Sequence, residues 1–357
     1  MNAPWIGNKT GKDRKQTIGP RRRRIAGVAA AVMLSAAVVG CVVPPPPPPT
    51  DPTRPSAGCG AALPAPVEGV RFSLAIASAG VNRSFLSYVP TQYDGVNPLP
   101  LVVDLHGFSN SAATQATWAR LDLAADTHGF VNVTPQGTGN PAFWNAGPLP
   151  QAPDDVQFIS DLIDAADAQL CVDLARVYIS GFSNGAMLAS LTACELSDKV
   201  AAIAPVAGFM RPTNCAPARA VPIIAFHGTA DALIRHESST PGELRHLLPF
   251  NATNQPYFDE VNFQAMPDAL SQWAAIQGCD PTVSNEPVTT NVSRRRYTGC
   301  AGGSTVELFT VGGGGHSWPG SQVMSAINNP LVGSTTMEID ATELMWEFFA
   351  QHHLPVP

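Results

Sequence analysis

Charged residues are scarce in this sequence. Asp, Glu, Lys and Arg make up 14% of its 357 residues, whereas 45% are hydrophobic. This composition excludes a globally disordered chain and predicts a sizeable apolar core. C-x-x-C pairs are absent among the seven cysteines, so neither a zinc site nor a thiol redox site is indicated.

Basic residues are rare beyond residue 40. Eight of the 21 Lys and Arg residues lie within residues 1–40, whereas 27 of the 28 acidic residues lie after them. The body of the chain is therefore strongly acidic. Because nucleic-acid binding depends on neutralising phosphates, we expect no nucleic-acid partner.

The N-terminal region has the order of an export signal. Four arginines at 21–24 precede an apolar run at 25–39, which ends in Val-Val-Gly-Cys at 38–41. This order predicts a signal peptide over residues 1–41, because the apolar run is shorter than a transmembrane helix normally requires. Its end resembles a bacterial lipobox, which would place a lipid on Cys41 as the only link to a membrane. Simple secretion is the alternative, and both interpretations predict a location outside the cell or on the outer side of its envelope.

A proline-rich linker and a set of disulfides are expected next. Residues 42–58 include six consecutive prolines, which predict a stiff, extended tether. Six cysteines follow Cys41, an even number suited to three disulfides in an oxidising compartment. Cys279 and Cys300 flank a short polar segment and are expected to pair. Three pairings stay open for the remaining four cysteines: Cys59, Cys171, Cys194 and Cys215.

Short β-rich runs alternate with helical patterns from about residue 60 onward. Predicted strands lie at 72–76, 84–89, 101–105, 130–134, 176–180, 201–206, 221–226 and 305–311, and predicted helices at 112–126, 155–170, 185–195, 268–277 and 336–351. The alternation predicts an α/β fold, with a mostly parallel eight-stranded sheet and helices on both faces. We expect one catalytic domain over 59–357, with a lid-like insertion near 232–267, where four prolines interrupt the pattern.

The strongest local signal is Gly-Phe-Ser-Asn-Gly at 181–185, between a predicted strand and a predicted helix. Small residues at both ends of such a turn avoid clashes and raise the central serine above the sheet. A G-x-S-x-G string alone is weak evidence, but this strand–turn–helix context is what the motif requires. The pattern therefore predicts Ser183 as a nucleophile.

A nucleophilic serine needs a base and an acid that orients the base. His316 follows the last predicted strand and four glycines, which would place its imidazole over the sheet edge. Asp231 follows the predicted strand at 221–226 in His-Gly-Thr-Ala-Asp, whereas the competing acids at 259, 260 and 268 follow no strand directly. We therefore predict Asp231 as the acid and interpret His227, in the same string, as a structural histidine.

Two backbone amides are candidates for an oxyanion hole: that of Asn184, after the nucleophile, and that of Phe108, in the His-Gly loop after the strand at 101–105. Trp144 and Trp318 are candidates for lining a substrate cleft. Packing of both indoles in the core is the equally weighted alternative.

Four strings in the right order carry a family resemblance: Leu-His-Gly-Phe, Gly-Phe-Ser-Asn-Gly-Ala-Met, His-Gly-Thr-Ala-Asp and Gly-Gly-Gly-His-Ser-Trp-Pro-Gly. From about Cys59 onward the chain resembles the polyhydroxybutyrate depolymerase-like and feruloyl esterase-like esterases, related to carbohydrate esterase family 1. The resemblance implies an α/β-hydrolase fold and ester hydrolysis through an acyl-enzyme by Ser183, Asp231 and His316. It implies neither metal nor cofactor. The implied substrates are polyesters, feruloylated or acetylated polysaccharides, or small acyl esters.

Two other functions fit the same sequence. An exported acyltransferase would use the same triad but pass the acyl group to a sugar. A non-catalytic surface lipoprotein would use the fold for binding, although an intact triad argues against it.

Overall fold

A computed structural model describes residues 53–61, 69–147, 152–237 and 264–355. They lie in a compact unit that spans Pro48–Pro357. The predicted signal peptide with Cys41 lies outside the described residues. So does most of the predicted lid-like insertion, of which only 232–237 and 264–267 are described.

The described residues form one ten-stranded sheet with the order β1-β2-β4-β3-β5-β6-β7-β10-β9-β8. The strands are β1 (Val70–Ser78), β2 (Val81–Val89), β3 (Leu99–Leu105), β4 (Val131–Pro135), β5 (Val172–Phe182), β6 (Ala202–Val206), β7 (Ile223–Gly228), β8 (Val283–Pro287), β9 (Val292–Tyr297) and β10 (Val306–Val311). The six central strands, β4 to β10 in this order, run parallel. The outer strands on both sides pair antiparallel.

All eight predicted strands are present, but the expected count of eight is wrong. The two additional strands, β8 and β9, form an antiparallel hairpin at one edge of the sheet. Their sequences, Val-Ser-Asn-Glu-Pro and Val-Ser-Arg-Arg-Arg-Tyr, are largely polar, and most of their side chains are exposed or half-buried. An edge strand with charged side chains lacks the apolar run that identifies a buried strand.

The helices of the described region are α1 (Ala112–Ala119), α2 (Leu121–His128), α3 (Asp155–Gln169), α4 (Asn184–Glu195), α5 (Met266–Ile276), α6 (Gln322–Ser325) and α7 (Ala341–Phe349). The single helix predicted over 112–126 is wrong, because Arg120 adopts a left-handed conformation with φ of 50° and separates α1 from α2. Asp154 caps α3 by accepting from the backbone N–H of Gln157, at 2.9 Å. In the part of the chain that is described, no helix has both the length and the apolarity to cross a membrane.

Apolar side chains fill both faces of the sheet. Alternate residues of β3 point to opposite sides, so that Leu101 and Val103 belong to one core cluster and Val102 to the other. The first cluster includes residues of α3, α4 and α5, and the second includes residues of α1, α2 and α7. This two-sided burial explains why the central strands read as continuous apolar runs.

The predicted linker ends earlier than residue 58. Pro55 pairs with Asp173 in a β-bridge, and the buried Ser56 hydroxyl donates to the carbonyl of Leu170 at 2.5 Å. The backbone N–H of Arg54 donates to the Asp173 carboxylate at 2.9 Å. These contacts place residues 54–58 on the folded body.

Three disulfides cross-link the described residues. Cys279 pairs with Cys300, as predicted, and the open pairings resolve into Cys59–Cys171 and Cys194–Cys215. The first of these ties the N-terminal segment to the start of β5. Three disulfides are typical of proteins from an oxidising compartment outside the cytosol.

Candidate active site

Ser183 lies on a sharp turn between β5 and α4. Its backbone has φ of 54° and ψ of −118°, a conformation that non-glycine residues rarely adopt and that costs about 1–3 kcal/mol. Its N–H donates to the carbonyl of Val206 on the neighbouring β6, at 2.8 Å. The side chain is half-buried at the carboxyl ends of the parallel strands.

Glycine is required on both sides of this serine because the backbones approach closely. A Cβ at Gly181 would lie 2.5 Å from the carbonyl oxygen of Gly185, and a Cβ at Gly185 would clash with the carbonyl of Leu105 on β3. The turn is therefore packed against both the strand before it and a neighbouring strand. This packing keeps Ser183 in its strained conformation.

Asp231 and His316 are joined by a hydrogen bond, although 85 residues separate them in the chain. His316 Nδ1 lies 2.7 Å from Asp231 Oδ2, and both side chains are buried. Asp231 follows β7 and His316 follows β10, and these strands are parallel neighbours. The two loops are also joined directly, because the N–H of Ala230 donates to the carbonyl of Gly314 at 2.8 Å.

The Asp231 carboxylate is held by further hydrogen bonds. Its Oδ1 accepts from the backbone N–H groups of Leu233 and Ile234, each at 2.8 Å. Burial alone would raise the pKa of Asp231, but attraction to His316, the hydrogen bond with His316 and that from the Ile234 N–H outweigh burial. The pKa of Asp231 therefore lies below its ordinary value. An ionised Asp231 accepts from His316 Nδ1 and leaves Nε2 as the nitrogen that can take up a proton.

His316 lies beside the serine turn. Its ring is 4.9 Å from the ring of Phe182, the residue before Ser183. Ser183 and His316, both described, form no hydrogen bond with each other in this structure. Such a bond often tightens only in the complex with substrate. The structure thus brings all three predicted residues to one sheet edge and forms one of the two hydrogen bonds that a triad needs.

The two candidate oxyanion amides belong to segments next to Ser183. Asn184 is the first residue of α4, where a backbone N–H has no partner within the helix. Phe108 lies in the loop after β3, and this loop touches Ser183: a Cβ at Gly107 would lie 3.3 Å from the Cβ of Ser183.

His106 holds this loop, a role that the sequence did not reveal. Its Nδ1 lies 2.7 Å from the carbonyl oxygen of Gly107, and its Nε2 accepts from the N–H of Gly137 at 2.9 Å. Nδ1 therefore carries the proton, and burial lowers the pKa of His106 to about 4, which keeps the ring neutral. Because the C=O and N–H of a trans peptide point in opposite directions, His106 directs the N–H of Phe108 away from itself.

Neither predicted cleft tryptophan faces a cleft, so this expectation is wrong. Trp144 and Trp318 are 0% and 1% exposed. Trp144 Nε1 donates to the carbonyl of His106 at 2.8 Å, and Trp318 Nε1 donates to the hydroxyl of Thr342 at 3.0 Å. Each indole N–H thus has an internal partner, which is why these side chains are stable in the core.

A buried ion pair lies behind the Trp144 loop. Arg83 and Asp155 are 2.6 Å apart, with 2% and 1% of their side chains exposed. The second oxygen of Asp155 accepts from the N–H of Asn145 at 2.7 Å. The Arg83 guanidinium lies over the ring of Phe158, 3.9 Å from its centre. The pair therefore anchors the loop that carries Trp144 to α3 and β2.

The strand order and the strand–serine–helix turn at the carboxyl ends of parallel strands define an α/β-hydrolase fold. Residues 83–231 match the family described as esterase PHB depolymerase, which confirms the resemblance indicated by the sequence motifs.

Curated relatives carry related names. The chain is 29% identical over 242 residues to feruloyl esterase B of Piromyces equi, an alignment that covers 66% of this chain and 42% of that protein. It is 25% identical over 240 residues to poly(3-hydroxyalkanoate) depolymerase C of Paucimonas lemoignei, covering 62% of this chain and 55% of that protein. The chain thus spans about half the length of these two relatives. A solved acetyl xylan esterase from Aspergillus awamori is similar at 15% identity and a TM-score of 0.48, over 69% of this chain and 94% of that one.

Proposed function

We propose that this chain is a serine esterase that hydrolyses carboxylic esters through an acyl-enzyme. The observation that carries the proposal is the hydrogen bond between Asp231 and His316 at the sheet edge where Ser183 occupies a strained turn. The relatives named above are an esterase and a depolymerase. They favour neither the acyltransferase nor the binding-protein alternative.

In this mechanism Ser183 Oγ attacks the ester carbonyl while His316 Nε2 accepts its proton. Asp231 stabilises the imidazolium that forms. The tetrahedral intermediate collapses as His316 returns the proton to the leaving alcohol. Water, activated by the same histidine, then releases the acid and restores Ser183.

The backbone amides of Asn184 and Phe108 would stabilise the negative oxygen of the tetrahedral intermediate. Asn184 gains from its place at the N-terminus of α4, where the helix dipole favours negative charge. His106 supports Phe108 by holding the carbonyl of the same peptide. These contacts supply a preorganised pair of donors.

The proposed substrates are polyesters of hydroxyacids, feruloylated or acetylated polysaccharides, and small acyl esters. The names of the relatives support this range. A substrate panel separates the three: a hydroxybutyrate polymer, methyl ferulate with acetylated xylan, and p-nitrophenyl acyl esters of increasing chain length.

We also propose export with a lipid on Cys41, supported by the Val-Val-Gly-Cys string at 38–41. Metabolic labelling with a radioactive fatty acid in a bacterial host tests this. The full-length protein should be labelled and Cys41→Ser should not. Equal labelling of both proteins would contradict the lipid anchor.

The Ser183→Ala variant tests the catalytic proposal on p-nitrophenyl acetate. Hydrolysis should fall to background in S183A, whereas Ser325→Ala, a matched change at an exposed helix position, should keep the wild-type rate. Undiminished turnover by S183A would overturn the assignment.

A further inference from the structure

His227 is a buried histidine beside the proposed triad that the proposed mechanism does not use. It is the next-to-last residue of β7 and is 1% exposed. Its Nε2 lies 2.7 Å from the carbonyl oxygen of Ile234 and 3.5 Å from Asp231 Oδ2. One nitrogen therefore faces both the loop after β7 and the carboxylate that this loop carries.

The partner of Nε2 fixes the protonation of this ring. A carbonyl oxygen only accepts hydrogen bonds, so Nε2 of His227 must carry the proton. Burial lowers the pKa of His227 to about 4, so the ring is neutral near neutral pH. His227 thus presents a fixed N–H donor, with Nδ1 as the unprotonated nitrogen.

Ile234 links this donor to the acid. Its N–H donates to Asp231 Oδ1 at 2.8 Å, while its carbonyl accepts from His227 Nε2. Ile234 is therefore hydrogen-bonded to the Asp231 carboxylate through its N–H and to His227 through its carbonyl. These two bonds close the loop from Gly228 to Ile234. Asp231 Oδ1 thus faces two backbone N–H donors. Asp231 Oδ2 faces His316 Nδ1 and, at a longer distance, His227 Nε2.

We propose that His227 is a positioning residue: by holding Ile234 and facing Asp231 Oδ2, it sets the place and orientation of the carboxylate that receives His316 Nδ1–H. This inference rests on the proposed function and adds a residue to it. His227 touches neither the substrate nor the reacting atoms. Its loss should slow the chemical step and leave substrate binding largely unchanged, because a small displacement of a catalytic group costs rate.

Two polar variants of different reach test this role. In His227→Gln the side-chain amide nitrogen reaches as far as Nε2, so the donor is kept. In His227→Asn the nitrogen reaches only as far as Nδ1, so the donor is lost while the polarity is similar. His227→Phe fills the volume of the ring without any donor, and thermal unfolding of each variant shows whether it folds.

Steady-state hydrolysis of p-nitrophenyl acetate gives the readout. We expect H227Q to keep kcat within about 3-fold of wild type, and H227N and H227F to lose about 10- to 100-fold in kcat with KM changed by less than about 3-fold. A purely structural role would give losses that follow the unfolding temperature, without rescue by Gln over Asn.

The outcomes separate this inference from the function on which it rests. Inactive wild-type protein, or S183A as active as wild type, would overturn the proposed function. Active wild type and inactive S183A, together with folded H227N or H227F at the wild-type kcat, would overturn only the role of His227. An H227Q variant that folds and is as slow as H227N would also overturn it, because the donor is then present without effect. An H227Q variant that fails to fold would overturn it too, because the ring would then be needed for packing rather than as a donor.

Discussion

The side chain of Asn184 binds the backbone of Trp144 on both sides. Its Oδ1 accepts from the Trp144 N–H at 2.7 Å, and its Nδ2 donates to the Trp144 carbonyl at 3.1 Å. Asn184, the residue after Ser183, therefore fixes the loop that carries Trp144, and the Trp144 indole in turn donates to the carbonyl of His106. Through this chain of contacts, the two sides of the proposed oxyanion hole are parts of one buried network.

The Asn184→Ala change should destabilise the protein without removing the backbone amide proposed for catalysis. It leaves the buried N–H of Trp144 without its partner, whereas the Trp144 carbonyl still accepts from the N–H of Ala146 at 3.1 Å. The free energy of unfolding should therefore fall by about 1–3 kcal/mol. Urea denaturation followed by tryptophan fluorescence measures this. Ser183→Ala is the control in the same turn and should show no comparable loss. A change in N184A below about 0.5 kcal/mol would contradict the role of this contact.

Asp231→Asn should abolish most activity while the fold remains. An amide at this position can still accept from Leu233 and Ile234, but its NH₂ group would face His316 and favour the wrong tautomer. We expect kcat to fall by about 10³- to 10⁴-fold, by analogy with the same change in serine proteases.

Asp268→Asn is the matched control for this experiment. Asp268 is one of the acids that competed for the role in the sequence and lies in the first turn of α5. Hydrolysis by D268N should remain at the wild-type rate. A large loss in D268N with full activity in D231N would show that the acid is assigned wrongly.

The buried carboxyl of Asp104 should make the stability of the protein depend on pH. This fully buried carboxyl on β3 accepts from Ser180 Oγ at 2.8 Å and from Gln115 Nε2 at 3.0 Å, and burial raises its pKa to about 7. The folded protein therefore holds this proton up to about pH 7, whereas the unfolded chain releases it near its ordinary value of 3.8. Between pH 3.8 and about pH 7 the folded state therefore binds more protons than the unfolded state. The contribution of Asp104 to the free energy of unfolding is complete below this range and declines as pH rises through it.

Asp104→Asn removes this contribution because the amide oxygen keeps both hydrogen bonds and no longer ionises. The stability of wild type relative to D104N should fall by about 2–3 kcal/mol between pH 5 and pH 8. Urea titrations of both proteins at the two pH values measure the difference. A difference that does not change with pH would show that Asp104 does not titrate in this range. Burial lowers the pKa of His106 and His227, which makes stability rise with pH. This contribution is the same in wild type and D104N, so it cancels when the two proteins are compared.

The disulfides should differ in what they contribute. Cys59–Cys171 spans 112 residues of sequence, whereas Cys279–Cys300 spans 21. If the cross-links act by restricting the unfolded chain, replacing the first pair with serine should cost about 5 kcal/mol and the second about 3 kcal/mol. Urea denaturation of the two double variants gives the comparison. An equal or reversed order would show that loop entropy is not the main source of the stabilisation.

Much of the central fold could be predicted from sequence, because strands buried on both faces must be apolar throughout. The hairpin of β8 and β9 could not be predicted, because its side chains do not form an apolar run. Arg294 and Arg296 pair with carboxylates, and Arg295 donates to the side-chain oxygen of Asn285. A break such as the one at Arg120 depends on a left-handed residue other than glycine, which has no clear sequence signal.

The proposed triad could be predicted because each member follows a strand whose direction the pattern already determined. The tryptophans could not be placed, because the partners of their indole N–H groups are distant in sequence: His106 for Trp144 and Thr342 for Trp318. The position of His227 in the chain indicates only a structural histidine. Only the folded structure shows its nitrogen between Ile234 and Asp231.

The most direct test of the catalytic role of Ser183 is covalent labelling of its hydroxyl. Diethyl p-nitrophenyl phosphate should inactivate the wild-type protein with release of one p-nitrophenolate per chain, because an activated serine attacks phosphorus as it attacks an ester carbonyl. Mass spectrometry of the digested protein should then find one diethylphosphoryl group on Ser183, and D231N should react far more slowly. A label on another residue, or full esterase activity in protein whose Ser183 is completely modified, would contradict this role.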